Sequence, residues 1–264
     1  MIDPRYTAFF HSPDGELFYG NDPARGPWDA NGCHAGPVTA LVARAVEQRL
    51  PDKQLVRLSV ELHRPVPMYG FRITARETKQ GRGVSMASAE IHDCNGKRVA
   101  VAQSLHIVVR NLGPVPTHHA PTPDFDNAQV GEFAVAKPRH GLPSFRDGVE
   151  VRYPPGEKNS IGPTTFWMKT LPILEGEEPS PFQRLCPLAD CPNGSSRNLE
   201  LDQMGFVNPD ITIVMFRPPT SEWLALSSRS FWESTGIGLA EGSLFDREGP
   251  VAEVMQTLFL QPAE

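Results

Sequence analysis

No stretch of this 264-residue chain approaches the ~20 consecutive apolar residues that a membrane-spanning helix needs. The opening segment, MIDPRYTAFFHSPDGE, has no basic flank followed by an apolar core, so the pattern of a secretory leader is missing as well. Clustered lysine and arginine are also lacking: 25 basic residues lie scattered among 31 acidic ones, for a formal charge of -6. Nucleic acid and anionic membrane, which both require concentrated positive charge, are thereby set aside as main partners. With only Cys33, Cys94, Cys186 and Cys191 there is no disulfide framework, and the pair five residues apart has no second pair to complete a zinc site. Free thiols acting as small hydrophobes are the expectation. The His118-His119 pair has no ligand partner at useful spacing, so no metal is expected. These absences predict a soluble cytoplasmic protein.

What is present changes period along the chain. Residues 6–20 read as a hairpin around a Pro-Asp-Gly turn. From Pro37, residues Val38, Leu41, Val42, Ala45 and Val46 recur at the spacing of one helical face, and Pro51 ends that helix. Leu58, Val60 and Leu62 then alternate with polar residues as a strand, and three further strand-like runs follow near 71–78, 84–92 and 98–110. Beyond Asn111 the composition shifts to Pro, His and small residues, which reads as a linker. Strands near 149–153 and 164–170, a helix near 180–189 and four more strands come next. The division predicted is a first unit over 1–112, a linker over 113–143 and a second unit over 144–264.

The two units share residues at a constant offset of 153. Arg64-Pro65 falls on Arg217-Pro218, Gly83 on Gly236, Asp93 on Asp246, Gly96 on Gly249, Val101 on Val254 and Gln103 on Gln256. A period this long indicates two similar subdomains rather than a solenoid. One apolar helix followed by four antiparallel strands predicts an α+β fold, each unit a curved antiparallel sheet wrapped around a central helix. Pairing the two sheets edge to edge is an alternative that also hides edge strands.

Three polar residues stand in apolar company. Asp190 ends the second-unit helix, Asn208 opens a strand with Ile211, Ile213 and Met215 on its core face, and Gln256 lies in the strand VMQTLFL. We expect the three to meet. Each also has a plainer reading: Asp190 as a turn cap with Asn193-Gly194, Asn208 as a turn residue before Pro209, and Gln256 as a fold residue shared with Gln103. His34 reads as a turn or core residue or as a general base.

The segments HAGPVTALVARA, LAD at 188–190, FVNPDITIVMFRPPTSEWL at 206–224, and GIGLAEGSLFDREG with VMQTLFL at 236–260 resemble, in that order, the double-hotdog acyl-CoA thioesterase family of bacterial medium-chain type. The resemblance implies a double hotdog that hydrolyses acyl-CoA or an acyl-carrier thioester to free acid and thiol. It implies no cofactor, coenzyme A being part of the substrate, and an oligomer of identical chains. In that family an Asp, a Thr or Ser, and a Gln position and activate a water; Asp190 and Gln256 match, and Asn208 stands where the hydroxyl residue is expected. An amide still donates and accepts hydrogen bonds. His34, Ala35 and Gly36, at the entry to the first helix, are the expected oxyanion donors, because a helix start leaves N–H groups unpaired. The alternatives are a hotdog hydratase, dehydratase or isomerase using His34, and a non-catalytic acyl-CoA-binding protein.

Overall fold

The structure is a computed structural model that describes residues 2–118, 120–134, 138 and 140–262; His119 of the histidine pair lies outside them. The first-unit pattern becomes β1 (Phe10–His11), β2 (Leu17–Gly20), helix α1 (Ala35–Glu47), β3 (Gln54–Leu62), β4 (Phe71–Lys79), β5 (Val84–Asp93) and β6 (Arg98–Ile107). The second supplies β7 (Gln129–Gly131), β8 (Val149–Tyr153), β9 (Thr164–Thr170), helices α2 (Pro181–Ala189) and α3 (Pro192–Ser195), and β10 (Met204–Val207). It ends with β11 (Asp210–Met215), β12 (Leu224–Trp232), β13 (Ile237–Asp246) and β14 (Gly249–Pro262). Strand β7 falls inside the proline-rich stretch 113–143 and pairs antiparallel with β8. The first arm of the expected hairpin is shorter than its pattern, because the Phe9 and Phe10 N–H groups donate to Pro172 and Ile173 in the second half.

Among the described residues the strands form one large antiparallel sheet, in the order β1-β2-β4-β5-β6-β3-β11-β14-β13-β12-β9-β8-β7, with β10 pairing the far end of β14. The halves therefore meet edge to edge, through β3 and β11. In that pairing Ser59 lies opposite Thr212, two residues related by the repeat, and their hydroxyls hydrogen-bond at 3.0 Å. A position paired with its own repeat mate places a local twofold axis there, the symmetry an isologous dimer uses. It also removes one exposed edge from each half.

The helices supply the cover for the sheet. Helix α1 buries Val38, Leu41, Val42 and Val46 against β3, β4 and β5, and α2 packs on β11, β12 and β13. The helices also cross each other at Gly36, where an added Cβ would lie 2.8 Å from the Pro187 carbonyl oxygen and 2.9 Å from Pro187 Cα. Backbone cannot swing aside as a side chain does. Gly36→Ala is therefore expected to cost about 1–3 kcal/mol, read as a lower denaturant midpoint; an unchanged midpoint would show that the helices part freely.

The repeat needs one correction. Ser59 pairs with Gln103 across the sheet, but its mate Thr212 pairs with Met255 and not with Gln256. The reason lies in the hairpins: three residues separate Asp93 from its partner Lys97, whereas two separate Asp246 from Gly249. A turn one residue shorter shifts every later residue to the opposite face. Gln103 is exposed, Gln256 is fully buried, and the first-half residue in the place of Gln256 is Ser104. The two glutamines match in sequence and not in space.

Candidate active site

Helix α2 contains Pro187 and is followed at once by Pro192, so the chain breaks between them and restarts as the one-turn α3. Asp190 occupies that break as the C-cap of α2, with its carboxylate free to leave the helix axis. It does not cap Asn193-Gly194. Instead Oδ2 accepts from the Gly36 N–H at 2.9 Å, at the start of α1 and 154 positions away. Oδ1 accepts from Asn208 Nδ2 at 2.9 Å and from Gln256 Nε2 at 3.2 Å. The three polar residues singled out in the sequence do meet, and the two amides bond directly to the carboxylate.

His34 completes the group. It is the N-cap of α1, and its Nδ1 lies 2.9 Å from Asp190 Oδ2 and 3.2 Å from the Gly36 nitrogen. Two bare acceptors 2.9 Å apart would repel, so a proton belongs between Nδ1 and Oδ2. With that proton in place Nδ1 cannot also accept from Gly36, whose N–H goes to the carboxylate at the shorter distance. Asp190 then receives four donors on its two oxygens, close to the full acceptor capacity of a carboxylate. The Gly36 N–H, expected to face an oxyanion, is engaged here in holding Asp190.

Local structure explains how each donor arrives. Asn208 lies between β10 and β11 rather than opening a strand, since the following Pro209 has no N–H for a ladder; the Pro209 carbonyl accepts from Leu62. Gln256 points inward from β14, opposite Ala240. Asn193 was read as part of a turn and is the residue that sequence reasoning missed. Its N–H donates to Gln256 Oε1 at 3.2 Å, and its Nδ2 to Asn208 Oδ1 at 3.0 Å. These bonds fix which end of each amide faces Asp190. An Asn directly after a helix-breaking proline was the available signal.

The group borders a cleft of about 310 Å³ lined by Trp28, Phe133, Phe145 and Phe206, with Asp190, Asn208 and His34 among its polar surface. The His34 ring stacks on Phe145, centroids 3.9 Å apart. Ala35 also borders the cleft, while Gln256 stands behind Asp190 and does not. Cys33 and Cys191 line the same space, but burial pushes both thiols well above their usual value, which disfavours a thiolate nucleophile. No group of three or more His, Cys, Asp or Glu residues that could hold a metal occurs among the described residues. No described helix is long and apolar enough to cross a membrane. The arrangement is a buried carboxylate oriented by both halves, paired with an imidazole at the wall of an apolar cleft. It suits water activation beside an apolar group.

Comparison with known proteins bears on this geometry. The profile of the acyl-CoA thioesterase N-terminal domain matches residues 24–107, and that of the acyl-CoA thioesterase C-terminal domain matches residues 116–260. No curated protein matches the chain. Among solved structures, the tesB protein of Mycobacterium avium subs paratuberculosis aligns with a TM-score of 0.70 at 17% identity, covering 97% of each chain. The acyl-CoA thioesterase II TesB2 of Mycobacterium marinum gives 0.67 at 16% identity, covering 97% of this chain and 95% of its own. A protein of Alicyclobacillus acidocaldarius described as having a hot dog fold gives 0.73 at 17%, covering 96% of both. At such identities the structural likeness shows the fold alone.

Proposed function

The chain belongs to the acyl-CoA thioesterase family, carries that family's two domains in order and is a thioesterase, and from that premise we propose that it hydrolyses acyl-CoA at the Asp190 group. The observation that carries the assignment is the convergence of His34, Gly36, Asn208 and Gln256 on one carboxylate at the cleft wall. We read the architecture as a double hotdog, α1 and α2 being the helices of its two units. Water attacks the thioester carbonyl carbon, and Nε2 of His34 takes its proton. Asp190 keeps the Nδ1–H in place and stabilises the imidazolium, the division of labour that a carboxylate–imidazole pair uses elsewhere. Ala35, at the start of α1, offers an N–H to the developing oxyanion, because the first turn of a helix has no partners for its donors. The intermediate collapses with cleavage of the C–S bond, and the proton held by His34 passes to the thiolate. Acid and thiol leave.

Asn208 takes the place of a hydroxyl residue without emptying the site, because its amide both donates to Asp190 and accepts from Asn193. The experiment is thiol release from a panel of short, medium and long saturated acyl-CoAs. Turnover of at least one member, lost in Asp190→Ala, is expected; full activity in that variant would remove Asp190 from the chemistry. A second reading has a specific basis in the His34–Asp190 pair, since the same imidazole could direct water to an acyl double bond. It predicts a product heavier by one water from an unsaturated acyl-CoA, with no thiol released.

A further inference from the structure

The repeat draws attention to an arginine that differs from its own mate. In the second half, Arg217 is tied down: Nη1 and Nη2 donate to the Asp246 carboxylate at 2.9 and 2.5 Å. The first-half counterparts are Arg64 and Asp93, still at the offset of 153. There the longer turn takes the acid for itself, for Asp93 Oδ1 accepts from the Asn95 and Lys97 N–H groups at 2.9 Å each. Arg64 is left exposed, with no hydrogen bond or ion pair from its side chain among the described residues, and it borders the active-site cleft. Arg146, half-buried beside Phe145, borders the same cleft and is likewise without a side-chain partner among the described residues.

Half of the described arginines pair with an acid, Arg217 among them, whereas two guanidinium groups without such a partner border this one cleft. The acids on the cleft do not neutralise them. Asp29 caps the Asn31 N–H, and Asp190 is held by its four donors. The remaining basic side chain there, His63, faces Glu61 at 3.6 Å. Guanidinium groups recognise phosphate by paired N–H donors, and an apolar cleft that takes an acyl chain needs an anion-binding side for a phosphorylated carrier.

We propose that Arg64 and Arg146 form a phosphate subsite that holds the carrier of the thioester while its acyl group occupies the apolar cleft. The chemistry recognised is a phosphate ester of a pantetheine-bearing thiol, whether in coenzyme A or on a carrier protein. The proposal rests on the thioesterase reading and makes a separate claim within it. Because Arg64 is exposed and Arg146 half-buried, both contacts are screened by solvent, and losing the two should raise KM about 10- to 100-fold.

The test compares one hexanoyl group carried on coenzyme A, on phosphopantetheine and on pantetheine, in the wild type and in the double variant Arg64→Ala, Arg146→Ala. Expected is a KM for hexanoyl-CoA raised at least tenfold with kcat kept, and an unchanged kcat/KM on hexanoyl-pantetheine, which has no phosphate. A shift on phosphopantetheine as large as that on coenzyme A locates the recognised group at the pantetheine phosphate shared with carrier proteins. A shift confined to coenzyme A locates it at the nucleotide phosphates. Equal losses on all three thioesters, or no loss on any, would overturn the proposal. If the wild type releases thiol from none of them, the hydrolytic reading fails by itself. The subsite is then judged by calorimetry with coenzyme A alone, where binding weakened tenfold in the variant upholds it and unchanged binding rejects it.

Discussion

Asp190→Asn is expected to lower kcat for acyl-CoA hydrolysis by about 10³-fold or more while leaving the fold intact. The change swaps one acceptor oxygen for a donor in a place where only donors point. If the new NH2 takes the Oδ1 side, it meets Asn208 Nδ2 and Gln256 Nε2. Neither amide can turn over to receive it, because their oxygens already accept from Asn193. If it takes the Oδ2 side, it meets the Gly36 N–H and His34 Nδ1. His34 can relieve the second clash by moving its proton to Nε2, and that step removes the acceptor that water needs. The measurement is single-turnover thiol release beside a thermal melt. His34→Gln should lose a comparable factor and the double variant little more than either, because residues acting as a unit are not additive. A His34→Gln enzyme close to wild-type rate would make Asp190 itself the base.

Asp246→Ala should produce the largest loss of stability among the acidic residues, about 3–5 kcal/mol, because it strands a buried-facing arginine and several N–H groups. The carboxylate has no solvent exposure and accepts from both Arg217 terminal nitrogens, from the Thr220 N–H and hydroxyl, and from the Glu248 N–H. It pins the chain after β11 to the turn between β13 and β14. Burial alone would raise its pKa; the Arg217 hydrogen bonds, aided by the Thr220 and Glu248 N–H groups, override that and hold it at about 2. The sign follows directly. A group depressed from 3.8 to about 2 contributes its stability above the unfolded value and loses it as pH falls through the folded one. Denaturant midpoints followed from neutral pH down to about pH 2 should therefore fall more steeply in the wild type than in the variant across that acid window. Parallel curves would mean that Asp246 is not the group responsible.

Much of the architecture was legible because it depends on local order. The apolar face Val38, Leu41, Val42 and Val46 can be satisfied only under a cover, and it lies under the sheet. Ile211, Ile213 and Met215 alternate toward the core as their spacing requires. The duplicated segments led to paired edges, and Ser59 opposite Thr212 shows how closely the two halves are related. The limit of that kind of reading appears at Gln103. Its identity with Gln256 held along the sequence, yet one residue fewer in a turn turned the two to opposite faces. Alternation is a parity, and a single deletion inverts it.

Residue types and spacing alone determined that this chain folds as two related helix-and-strand units and that Asp190, Asn208 and Gln256 would be polar exceptions in apolar surroundings. What only the tertiary structure decided is which atoms face one another. The crossing of α1 over α2 at Gly36 brings His34 to Asp190, and the break before Pro209 releases Asn208 toward the same carboxylate. Asn193 then sets the direction of both amides. Contacts between positions 18, 66 and 154 residues apart follow from packing and strand register, which no local period encodes.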